Sequence, residues 1–299
     1  MFACQSLVPA VATNNELLTT NYFPQRMTDD LKKIPLVLHV GYHKTATTFL
    51  QKLVFPKQQQ VLYAGRPFRT KAIGDFFLYN QFTNPLLFDP AVARERFYNA
   101  IGDWVTSSNQ SLSEKKALLV SHESLHSGPD WFGSEVMMMS QRLKNTFPDA
   151  RIVIGIRNQV SYIESNYKEY LLHGGKLRFK RFMEETFAFR YGLLPKLHYD
   201  KVIGQYMDLF GKDRVHIYLI EELKEDLAAT VNKMMQFMGA ESSSDFRSEN
   251  VNMGLSRMSS GLLRVVNTVM ASDLMSSTTT GCTNAFREGK NFEEGCPGS

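Results

Sequence analysis

Lys44, Thr45, Thr47 and Thr48 stand together in the run His43-Lys-Thr-Ala-Thr-Thr-Phe49, and their types suit the binding of an anion. The ammonium supplies full charge and the hydroxyls donate hydrogen bonds. A helix opening at that point leaves its first backbone N–H groups free for the same ligand. A second pair of similar character lies far along the chain, where Ser165 follows Arg157 by eight residues, about two helical turns. A planar guanidinium and a hydroxyl converging there would suit a phosphate. A third group, Ser121-His122-Glu123, sets two candidate general bases side by side, His122 and Glu123.

Each group follows an apolar run that reads as a buried strand. Residues 36–40 are rich in aliphatic and β-branched residues, Gly41 permits a sharp exit, and Phe49, Leu50, Leu53 and Val54 continue at helical spacing. Residues 117–125 read as a second strand ending in four polar residues, 151–156 as a third running straight into Arg157, and 214–220 as a fourth. Amphipathic helices are expected over 91–105, 134–147, 197–210 and 226–238, the last closed by Gly239. Strands alternating with helices predict an α/β fold, and in open parallel sheets ligands sit beyond the carboxyl ends of the strands. All three polar groups fall at such ends. Residues 56–90 show no clean period and are expected to form loops and short helices walling an acceptor pocket. Gly174-Gly175 breaks the chain before a basic, aromatic stretch over 179–189.

With 299 residues the chain can bury a sizeable core, and 43% hydrophobic with 21% charged residues is ordinary globular composition. The net charge of +4 suits an anionic ligand, without the basic block that nucleic-acid binding would need. Cys4, Cys282 and Cys296 lie near the ends, leaving the middle without a disulfide framework or metal cluster, as in a reducing compartment. No apolar run reaches the ~20 residues of a spanning helix. A soluble, cytoplasmic protein without a transmembrane segment is expected.

The Lys44 loop resembles the 5′-phosphosulfate-binding loop of the sulfotransferases, in particular their bacterial, carbohydrate-type branch. That pattern runs strand, Pro/His-Lys-[Ser/Thr]-Gly-Thr-[Thr/Ser], helix; here Ala46 replaces the glycine. The nucleotide-triphosphate loop G-x-x-x-x-G-K-[ST] fits less well, because Gly41 stands only three positions before Lys44 and His43 occupies the second glycine's place. Arg157, Asn158, Ser165 and Tyr167 match the family's 3′-phosphate motif, Arg-Asn-Pro-x-Asp-x₃-Ser-x-Tyr, with Gln159 and Ser161 at the Pro and Asp positions. Ser121-x-Glu123 matches a strand end frequent in bacterial relatives, and Ser121-His122 equally matches the cytosolic branch. Ile220 fills the slot of a family tyrosine near adenine, and for the late Arg-Lys-Gly motif only Arg257 offers a substitute.

The resemblance implies a P-loop-like three-layer fold, a central parallel sheet flanked by helices, over residues 34–270. A loosely ordered segment 1–33 and a disordered tail 271–299 would frame it. It also implies transfer of a sulfuryl group from 3′-phosphoadenosine-5′-phosphosulfate to a hydroxyl of a saccharide, lipid or small alcohol, without a metal. The donor would be held by Lys44, Thr45, Ala46, Thr47, Thr48, Phe49, Arg157 and Ser165. Lys44 would stabilise the leaving phosphate, and His122 or Glu123 would take the acceptor's proton. Two other readings stay open: a small-molecule kinase using ATP and magnesium, and a non-catalytic module that binds adenosine bisphosphate.

Overall fold

Alternation along short strands sorts their residues onto two faces, and both faces are apolar, as a sheet covered on both sides requires. In the computed structural model, which describes residues 25–65, 71–125, 135–187 and 197–243, this produces a three-layer α/β fold. Strands β1 (Leu36–His39), β2 (Val61–Tyr63), β3 (Ala117–Ser121), β4 (Arg151–Ile156) and β5 (Val215–Leu219) form one parallel sheet in the order β2-β3-β1-β4-β5. Leu36, Leu38, Leu118, Val120, Ile152 and Ile154 face one core. That core is closed by helices α1 (Gln25–Lys33), α3 (Lys71–Phe82), α4 (Pro90–Ser107), α5 (Glu135–Thr146) and α8 (Tyr199–Phe210). Val37, Leu119 and Val153 face the other, under α2 (Thr47–Phe49) with its continuation over residues 50–57, α9 (Ile220–Glu225) and α10 (Leu227–Met238). Two further helices, α6 (Gln159–Leu172) and α7 (Phe179–Phe187), follow β4.

The strand order decides where a ligand can sit. From β1 the chain moves to one side to lay down β2 and β3, then crosses to lay down β4 and β5 on the other. A crevice opens at such a switch point because the two connections leave the strand ends in opposite directions. The loops after β1 and β4 carry Lys44 and Arg157, and they flank this crevice.

Several expectations needed adjustment. Residues 56–90 contain an edge strand, β2, and a full helix, α3. Three residues are too few for β2 to show a period in sequence, and α3 blurs its own because Leu78 and Phe82 are exposed while the polar Asn80 is buried with Ile73, Phe76 and Phe77. Residues 25–33, expected to be loosely ordered, form α1 and bury Leu31 completely. The three cysteines, Arg257, the end of the basic, aromatic stretch beyond residue 187 and the expected tail lie outside the described residues. Among the described residues no helix is long and apolar enough to cross a membrane.

Candidate active site

The loop after β1 is tied to β4 before it turns. Val40 N–H donates to the Val153 carbonyl at 2.9 Å and Tyr42 N–H to that of Gly155 at 3.4 Å. Thr45 Oγ1 then donates to the Tyr42 carbonyl at 2.6 Å, so this buried hydroxyl closes the turn itself. Lys44 and Ala46 both take left-handed backbone conformations, with φ of 64° and 60°. Such angles are uncommon outside glycine and cluster where function over-determines the backbone. Ala46 is nonetheless packed in the core with Leu50 and Val54, so its methyl group does not fill the open side of the loop. Thr47 is buried too, while Thr48 is exposed and Phe49 half-buried at the start of α2.

Lys44 and Arg157 meet across the crevice. Arg157 Nη1 donates to the Lys44 carbonyl at 3.3 Å, and Lys44 Nζ reaches α6, where it donates to Glu169 Oε1 at 2.6 Å. The two partners of that ion pair are each 31% exposed. Arg157 is held from behind by Tyr199, whose hydroxyl donates to its carbonyl at 2.8 Å. Its buried Nε finds no hydrogen-bond partner among the described residues. A buried guanidinium N–H without an acceptor is costly, and an anion in the crevice would satisfy it. Asn158 caps α6 by accepting from Ser161 N–H at 3.2 Å, so serine at the motif's Asp position still starts the helix. Ser165 lies four residues before Glu169 on α6 and is half-buried. Positions four apart share one helix face, which sets Ser165 on the side that meets Lys44.

His122 and Glu123 stand at the end of β3. His122 N–H donates to the His39 carbonyl at 3.2 Å and its ring meets Phe77 edge-on at 5.6 Å. Glu123 is half-buried and forms no ion pair among the described residues; its charge acts on the neighbouring His39 and Tyr218. Both candidate bases follow the carboxyl end of β3, the strand next to β1 in the sheet.

Sequence reasoning missed the groups beneath the loop. Burial lowers the imidazole pKa of His39 to about 4, with Glu123 opposing, and burial raises that of the Tyr218 phenol. The signal for His39 was present, since it is the one polar residue in the apolar run of 36–40. Glu169, by contrast, carries no motif and is found only through its contact with Lys44.

The sulfotransferase domain family matches this chain over residues 35–291. The chain belongs to the sulfotransferase family. Its reaction class is sulfuryl transfer, and the match runs past residue 270 into the segment expected to be a tail. Solved structures similar to this sulfotransferase include one from Alicyclobacillus acidocaldarius, at 21% identity and a TM-score of 0.48, covering 81% of this chain and 94% of that one. A mouse sulfotransferase complexed with PAP is 13% identical with a TM-score of 0.38, over 82% of this chain and 70% of its own. Retinol dehydratase, in complex with androsterone and inactive cofactor PAP, is 13% identical with a TM-score of 0.33, over 78% of this chain and 64% of its own. No curated protein matches the chain significantly.

Proposed function

We propose that this sulfotransferase is cytoplasmic, takes its sulfuryl group from 3′-phosphoadenosine-5′-phosphosulfate and delivers it to an acceptor hydroxyl. The observation that carries the reading is the convergence of Lys44 and Arg157 at one switch point, with the Arg157 Nε left without a hydrogen-bond partner among the described residues. The residues present fit such a donor: two cations and a turn of backbone face one crevice, and the Ala46 side chain stays out of it. Lys44, Thr45, Ala46, Thr47, Thr48 and Phe49 would hold the sulfated phosphate, and Arg157 with Ser165 the other one.

The bound donor supplies an activated sulfuryl group whose phosphate leaves as charge grows on the bridging oxygen. Lys44 must first give up Glu169, and its ammonium then neutralises that charge; positioning and electrostatics of this kind dominate such transfers. Glu123 or His122 accepts the proton of the acceptor hydroxyl. A hydroxyl on a saccharide, lipid or small alcohol meets these requirements equally. Among the described residues no cluster of His, Cys, Asp and Glu is arranged to hold a metal ion.

The test is a calorimetric titration of the full chain with adenosine 3′,5′-bisphosphate and, separately, ATP with magnesium. Binding of the bisphosphate in preference to ATP is expected. Magnesium-dependent binding of ATP alone would replace this reading with a kinase, and bisphosphate binding without transfer to any hydroxyl would leave a binding module.

A further inference from the structure

Three side chains and one bare position form a staggered row across the face of the sheet that α2 covers: Ser121 of β3, His39 of β1, Gly155 of β4 and Tyr218 of β5. His39 is in register with Ser121 on one side and Val153 on the other, and Tyr218 is in register with Gly155, two residues beyond Val153 on the same face. Gly155 is the gap in the row. A Cβ there would stand 2.3 Å from the Cζ and Oη of Tyr218, so the ring crosses β4 only because that position is bare. Having crossed, Tyr218 Oη lies 3.1 Å from His39 Nε2 and 3.0 Å from the Thr45 carbonyl oxygen.

Counting protons gives this chain of groups a direction. A carbonyl can only accept, so the single proton of Tyr218 goes to Thr45. Toward His39 the phenol oxygen must accept, which puts the ring proton on Nε2. Buried completely and neutral, the imidazole then presents a bare Nδ1, which accepts from Ser121 Oγ at 2.7 Å. Ser121 Oγ accepts in turn from Gln51 Nε2 at 3.1 Å. Every donor from Gln51 to Thr45 points the same way.

The far end of the relay sets the loop. In a trans peptide the C=O and the following N–H point in opposite directions. Drawing the Thr45 carbonyl inward to Tyr218 therefore turns the Ala46 N–H away from the buried row, to the open side of the loop. The residues on both sides of Thr45 are left-handed without being glycine, a state that reverts unless something holds it.

We propose that His39 and Tyr218 are positioning residues that lock the Thr45–Ala46 peptide with its N–H turned toward the donor's phosphate. The lock does here what a glycine would do in a loop free to adopt that turn. This rests on the reading of the loop as the donor's phosphate site.

The experiment titrates adenosine 3′,5′-bisphosphate into the full chain and its variants, with thermal melts alongside. Tyr218→Phe should weaken binding roughly tenfold, the worth of one hydrogen bond. It should raise KM for the donor more than it lowers kcat. Adding Ala46→Gly to that variant should recover most of the affinity, because glycine takes the left-handed turn unaided. Ser121→Ala should also weaken binding, since the ring proton can then move to Nδ1 and draw the Tyr218 hydroxyl away from Thr45. Nitrogen-15 NMR of the wild type should show the His39 proton on Nε2. A folded Tyr218→Phe that binds as tightly as wild type overturns the proposal, as does an Nδ1 proton or a double variant with no recovery. Should Tyr218→Phe fail to fold, Ser121→Ala and the NMR signal decide. A wild-type chain that keeps the Nε2 proton yet binds no bisphosphate overturns the phosphate-site reading instead, and this one with it.

Discussion

Lys44 holds an ion pair with Glu169, and the proposed mechanism asks the same ammonium to carry the donor's charge; the two tasks exclude one another. Lys44→Ala should lower the rate of sulfuryl transfer by on the order of 10²–10³ while the melting temperature holds, read by labelled-sulfate transfer and a thermal melt. Glu169→Gln removes the competitor. Because the pair is partly exposed, its release should tighten bisphosphate binding by no more than about fivefold, and calorimetry at low and high salt would check it. Weaker binding would make Glu169 a support for Lys44 rather than a rival to the ligand. Between the two candidate bases the rate decides. The one that accepts the acceptor's proton should cost roughly 10²–10⁴ in kcat on replacement, Glu123→Gln against His122→Ala, with little change in bisphosphate affinity.

At the level of elements, β4 matters most, because its Gly155 lets a side chain of β5 reach the loop after β1. Gly155→Ala cannot be absorbed without moving the Tyr218 ring. It should destabilise the fold by about 1–3 kcal/mol, as overpacking does, and weaken bisphosphate binding as well, measured by denaturant titration and calorimetry. Most helices and strands were legible from their periods, including α10, whose ends are written in sequence. Asp226 accepts from Ala229 N–H at 2.8 Å at one end, and Gly239 turns left-handed with φ 77° at the other. β2 was not legible, since three residues on the sheet edge carry no period, and α3 was hidden because it exposes Leu78 and Phe82 and buries Asn80, against the usual pattern.

For the whole molecule, the buried relay ties stability to pH. His39 faces Ser121, Tyr218 and the edge of Phe55, and Glu123 is the charged group that acts on it. Its pKa falls from 6.5 to about 4 on folding. Above pH 6.5 the ring is neutral in both states, and its contribution is fully present. As pH drops toward 4 the unfolded chain takes up a proton that the folded one refuses, so stability declines through that window. The loss should approach on the order of 3 kcal/mol, and His39→Gln should flatten that part of a stability–pH curve measured by denaturant unfolding.

The sequence by itself determined the strand-loop-helix units, the parallel α/β class, and the placing of Lys44, Arg157, His122 and Glu123 at strand ends. Those features depend on neighbours within a few residues, through alternation, helical spacing and turn chemistry. Only the tertiary structure decided which units lie side by side, and hence that Arg157 meets the Lys44 carbonyl and Glu169 the Lys44 ammonium. His39 and Tyr218 stand 179 positions apart. Their meeting depends on strand order and register, which the packing of the two cores fixes and no local pattern encodes.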